Sequence, residues 1–108
     1  MATPFNFTGI TQLKDEAFDN TGLNGGLVLN DVTFVGSYTF AGCPLTSVTF
    51  GGLLTEIGSF AFSDCTSLTS IDWGGSQITS IGSACFKNCT SLTTINLPDS
   101  ISDIGSNN

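Results

Sequence analysis

The sequence has no histidine and no arginine, and its only cations are Lys14 and Lys87 in 108 residues. Without imidazole there is neither a Ser/His/Asp triad nor a His-bearing zinc site, and without guanidinium there is no bidentate phosphate clamp. No nucleophile and base stand paired, so no catalytic residue, metal site or cofactor is read. Charge is scarce and of one sign: 10% of positions are charged, nine of them acidic, for a net charge of −7. That balance repels nucleic acid and anionic lipid. No run approaches the ~20 apolar residues of a membrane helix, and the opening Met-Ala-Thr-Pro-Phe has neither the basic flank nor the apolar run of an export signal. Membrane insertion is therefore not expected, and a place in the cytoplasm or within an assembly is favoured over secretion. What the chain does have is apolar bulk, with 40% hydrophobic residues including nine Phe. That is enough to pack one domain of ~100 residues.

The bulk is periodic. Residues 78–95, running from Ile78-Thr79-Ser80-Ile81-Gly82-Ser83 through Cys89 to Ile95, align with residues 54–71, running from Leu54-Thr55-Glu56-Ile57-Gly58-Ser59 through Cys65 to Ile71, at a constant offset of 24. Residues 32–45 fit the same template 22 positions earlier, with one residue missing before Leu45. A worn copy starts at Ile10, keeping Leu13, Ala17, Phe18 and Leu23 in the apolar columns and placing Thr21 where the others have Cys. A partial copy begins at Ile101. The reading is about four full units and a fragment of a fifth over residues 10–108, preceded by an N-terminal arm or cap at residues 1–9 in which Phe5 and Phe7 tuck against the first coil.

A period of 22 to 24 lies within the ~20–29 residues of leucine-rich repeats, whose units bury their apolar edges only against one another. Leu45-x-x-Val48-x-Phe50, Leu68-x-x-Ile71-x-Trp73 and Leu92-x-x-Ile95-x-Leu97 match the strand core of that repeat. Alternation points Ile71 and Trp73 inward and Ser70 and Asp72 outward. The predicted fold is a leucine-rich repeat solenoid, mainly β, with one parallel sheet on a concave face. Gly-Ser-x-Ala-Phe is read as a short helical or 3₁₀ turn, with Ser59 or Ser83 as N-cap and Phe40, Phe62 and Phe86 filling the core. The unit I-x-x-I-G-S-x-A-F-x-x-C-T-S-L-T-S-I resembles the BspA-type leucine-rich repeat. The resemblance covers residue 10 to about 105 and implies a non-enzymatic solenoid used for protein binding, often in adhesion.

Cys43, Cys65 and Cys89 form one column and are read as small buried side chains. Neighbours in register stand ~4.8 Å apart with parallel Cβ directions, against the ~3.8 Å between Cβ atoms that a disulfide needs. Cys85 and Cys89 lack the further ligands a zinc site requires. Two surfaces remain. The outward strand residues Thr46, Ser47, Thr49, Thr69, Ser70, Asp72, Thr93, Thr94 and Asn96 are either a solvated sheet face or a concave ligand-binding face. Tyr38 and Phe60, on adjacent coils, either form an outward apolar patch or lie flat over their neighbours. Ile101 and Ile104 are nearly all the apolar cover on the last coil, so the solenoid ends, with little capping, are expected to be held by another chain. The function that follows is an interaction or structural solenoid, a subunit or cementing component of a larger assembly that binds protein partners and self-associates through its ends. The alternative is a BspA-like adhesion module that recognises protein or glycan on the concave strands.

Overall fold

Apolar residues spaced one coil apart can be buried together only if the coils stack in register, and the chain does this. The computed structural model describes residues 5–6, 9–93 and 95–105, with residues 5–6 and 103–104 described by backbone alone. The described residues form nine short strands in chain order: β1 (Phe5–Asn6), β2 (Gln12–Leu13), β3 (Gly25–Leu29), β4 (Phe34–Val35), β5 (Leu45–Phe50), β6 (Glu56–Ile57), β7 (Ser70–Asp72), β8 (Ser80–Ile81) and β9 (Asp103–Ile104). They make two parallel sheets, β1-β3-β5-β7 and β2-β4-β6-β8-β9. The first holds two of the three strands expected from the sequence, β5 and β7, with Val48 opposite Ile71 and Thr49 opposite Asp72. The second is an addition to that expectation. It arises where the Ile-Gly step of each unit lies over the next, pairing Val35 with Ile57 and Ile57 with Ile81.

The core lies between the sheets and the turn. The rings of Phe18, Phe40, Phe62 and Phe86 stack coil upon coil at centroid separations of 5.6, 5.3 and 5.6 Å. Phe50 meets Phe62 edge-on and stacks on Trp73, joining the column to the first sheet. Phe40, Phe62, Cys43 and Cys65 are fully buried, Cys89 is nearly so, and Phe86 packs partly buried against them. All four cysteines are free thiols.

The Gly-Ser-x-Ala-Phe stretch is not helical, and the described residues contain no helix. Tyr38, Phe60 and Ala84, directly after Ser37, Ser59 and Ser83, have φ of 58°, 59° and 53°, which stops a right-handed turn from propagating. Ser59 and Ser83 are therefore not N-caps. The left-handed residues turn alternate peptides so that Tyr38, Phe40 and Gly42 donate their N–H groups to the carbonyls of Ser59, Ala61 and Ser63 one coil on. Phe60, Phe62 and Asp64 donate likewise to Ser83, Cys85 and Lys87. The intervening N–H groups close i→i−3 turns within the coil, as Ala41 to Tyr38 and Cys43 to Phe40 do. This pattern satisfies the buried backbone without a helix.

A second correction concerns residues 92–97. No strand forms among the described residues there, and Ile95 is 36% exposed. In the coil of β5, Gly51 follows the strand and its N–H donates back to the carbonyl of Leu29. Pro98 holds that place after Leu97 and has no N–H to give, and it also restricts Leu97. The carbonyl of Trp73 accepts instead from Ser76 of its own coil.

Coil spacing depends on glycine at one column. A Cβ on Gly58 would lie 2.6 Å from the nitrogen of Ser37 and 2.8 Å from the carbonyl carbon of Gly36, whereas at Gly52 the nearest atom is 3.9 Å away. The obstruction at Gly58 is backbone, so relief requires parting two coils. Gly58→Ala is expected to lose ~1–3 kcal/mol in urea unfolding. Gly52→Ala should stay within about 0.5 kcal/mol of the parent.

Candidate functional site

On the first sheet the strands bring the outward residues together in pairs: Ser47 lies beside Ser70 and Thr49 beside Asp72. Two of the outward side chains, Thr69 and Asp72, already bond within the fold. Thr69 donates its hydroxyl to the carbonyl of Thr46 at 3.0 Å, and Asp72 accepts from the N–H of Gly74 at 2.9 Å. Thr46, Thr69, Ser70 and Asp72 are exposed, and Ser47 and Thr49 are half-buried. Thr93 and Asn96 are exposed but belong to the segment without a strand, so they do not extend this face as a sheet. Thr94 lies outside the described residues.

The Tyr38 and Phe60 rings stack at 4.8 Å between centroids and 4° between planes. Tyr38 is 41% exposed and Phe60 is half-buried. The two sequence alternatives are thus combined, because each ring lies flat over its neighbour and the pair still presents an apolar edge to solvent. Ile101 is half-buried against the core. Ile104 pairs by its backbone with Ile81, and its side chain lies outside the described residues. So do residues 1–4, 7 and 8 of the N-terminal arm, whose β1 pairs Phe5 with Leu27.

The cysteine column has a bonding role that column spacing alone did not suggest. The thiols of Cys43, Cys65 and Cys89 donate to the carbonyls of Phe18, Phe40 and Phe62 in the preceding coil at 3.0, 3.2 and 3.1 Å. Thr21, in the same column of the first unit, donates its hydroxyl to Phe18 at 2.9 Å. The presence of a hydroxyl residue in a cysteine column was the available sign that the column needs a donor. Burial pushes the Cys65 thiol up from 9.0 to about 12, with the Cys89 and Cys43 thiols adding to the shift. Burial also raises Cys89 to about 11 and raises Cys85 strongly. A thiol raised this far keeps its proton near neutral pH, so Cys65, Cys85 and Cys89 stand there as buried, protonated groups. No group of three or more metal-ligating side chains occurs among the described residues, and no helix among them is long and apolar enough to cross a membrane.

A third surface was not read from the sequence. An open groove of about 360 Å³ runs across the coils between the second sheet and the turn. Gly58 and Gly82 form its floor. One wall carries Phe34, Glu56 and Ser80, which are register partners in β4, β6 and β8. The other carries Ser37, Ser59 and Ser83. The sign was present in the I-x-x-I-G-S unit, where the residue before Ile and the residue after Gly recur on either side of a glycine. Reading Gly-Ser as a helix start concealed it.

Residues 10–108 match the family model described as BspA type Leucine rich repeat region, in six copies. No curated protein and no solved structure matches the chain.

Proposed function

The chain belongs to the BspA-type leucine-rich repeat family, and from that premise we propose that it is a non-enzymatic protein-interaction solenoid that works as a subunit of a larger assembly, joined through its Tyr38–Phe60 face. The supporting observation is the pair itself. Both residues hold φ near +60°, as Glu16 and Ala84 do in the same column, so that conformation belongs to the turn itself. What the pair adds is two adjacent aromatic rings with an edge left in solvent, and aromatic residues carry much of the binding energy at protein contacts. The partner we propose for this face is a second copy, whose identical patch meets it about a two-fold axis. The end carrying Ile101 and Ile104 is the second proposed contact, and residues 1–9 are proposed as an arm covering the other end. The strand face of Thr46, Ser47, Thr49, Thr69, Ser70 and Asp72 supports a recognition role less well, because Thr69 and Asp72 already bond within the fold.

The test is light scattering over a ~100-fold concentration range, where association follows mass action. The parent chain should grow beyond its 11.2 kDa monomer mass with increasing concentration. Tyr38→Ser combined with Phe60→Ser should stay at monomer mass with an unchanged far-UV spectrum. A parent mass that stays at the monomer value throughout, or a double variant that associates as well as the parent, removes this face from the assembly.

A further inference from the structure

The geometry points to the glycine-floored groove as a binding site for a neutral oligosaccharide, lying across the coils between the Phe34/Glu56/Ser80 wall and the Ser37/Ser59/Ser83 wall. This site does not depend on self-association.

The groove persists because nothing can fill it. A Cβ on Gly58 or Gly82 would meet the backbone nitrogen of Ser37 or Ser59 at 2.6 or 2.3 Å, so the fold itself excludes side chains from the floor. Successive coils repeat every ~4.8 Å along it, offering a ligand a similar set of groups at each step.

The groups in the walls define the ligand. The hydroxyls of Ser37, Ser59 and Ser80 are half-exposed and make no hydrogen bond to any described residue. Each can donate one bond and accept two. Glu56 is exposed and contributes an acceptor-only carboxylate with two oxygens, which suits a pair of adjacent ligand hydroxyls. Phe34 adds an apolar ring surface to the same wall. No cation lines the groove, and with a net charge of −7 an anionic ligand is disfavoured.

An extended peptide fits less well. Peptides lying on sheets are held mainly by main-chain hydrogen bonds, and the floor has no N–H to offer. Gly36, Gly58, Gly82 and Gly105 donate theirs to Leu13, Val35, Ile57 and Ile81. Among the described residues what remains is a surface of hydroxyls, one carboxylate and one ring, which matches a chain of neutral sugars.

The experiment is a titration of the ¹⁵N-labelled full chain with cellotetraose, maltotetraose and xylotetraose, each to about 10 mM, where a ligand with a Kd of 1 mM approaches saturation. At least one sugar should give saturable amide shifts at Gly58, Ser59, Gly82 and Ser83. Glu56→Gln should bind that sugar about tenfold more weakly, because a hydrogen bond to a charged acceptor has been replaced by one to a neutral amide. Ser70→Ala, on the first sheet, should leave the affinity unchanged. Three results would each overturn the site: no saturable shift with any of the three sugars, shifts centred on residues 70–72, or Glu56→Gln binding as tightly as the parent. Loss of self-association in the Tyr38/Phe60 double variant would leave this outcome untouched, so the two readings fail separately.

Discussion

Phe62→Ala is expected to destabilise the chain by ~3–5 kcal/mol, a large share of the ~5–15 kcal/mol that holds a domain folded. The Phe62 ring is fully buried. It stacks on Phe40 at 5.3 Å and on Phe86 at 5.6 Å, and takes the edge of Phe50 at 6.2 Å. Truncating it therefore opens a void in contact with three other rings. The void has no means of closing, because the backbone of each coil is fixed by bonds to the coils on both sides. The N–H of Phe62 donates to Cys85, and its carbonyl accepts from Cys65 and from the thiol of Cys89. Urea unfolding followed by far-UV circular dichroism should give a midpoint lower by more than half, or no folded baseline. Phe86→Ala, at a half-buried ring, is the comparison and should lose less. Equal losses at the two positions would show that the stack is not the centre of the core.

The Phe and Cys columns and the first sheet were legible in the sequence for one physical reason. A constant offset forces in-register stacking, so residues one period apart must be neighbours. Val48 beside Ile71 follows from alignment alone. The second sheet was not legible because its strands are two residues long, too short for alternation to register as a signal. The turn was misread because local propensity assigns positive φ to glycine or asparagine, whereas this chain places Tyr38 and Phe60 there. The bonds that hold those residues run to the next coil, and no window along one coil displays them. The segment around Ile95 fits the strand pattern as well as its neighbours do, and along the coil it is set apart by Pro98 standing where the two preceding coils have Gly51 and Gly74. Of the candidate surfaces, the strand face and the aromatic pair could be named by counting columns. The groove required knowing that the Gly-Ser step opens no helix and that its glycine is pressed against the preceding coil.

Raising the pH above 9 should unfold the protein over a narrow range. Cys65, Cys85 and Cys89 are raised in the folded chain, chiefly by burial, from an ordinary thiol value of 9.0. In the unfolded chain the same groups lose their protons near 9, while in the folded chain Cys89 keeps its proton to about 11 and Cys65 to about 12. Between those limits the unfolded state binds fewer protons than the folded one, so stability falls as pH rises. It is undiminished well below pH 9. Each raised thiol contributes a slope of up to about 1.4 kcal/mol per pH unit within its window. Three such groups acting together remove ~4 kcal/mol per unit, enough to exhaust a marginal fold within two units. Deprotonation also removes the donors from Cys65 and Cys89 to the carbonyls of Phe40 and Phe62, so the loss falls on the same column that holds the ring stack. Urea midpoints measured at pH 7, 8, 9, 10 and 10.5 should be flat to about 8 and then drop steeply. Cys85→Ala should shallow that drop by about one third, since it deletes one of the three titrating groups, and alanine already occupies the same column at Ala61. A midpoint that stays level from pH 8 to 10.5 would mean that the thiols titrate alike in both states and that the column is open to water.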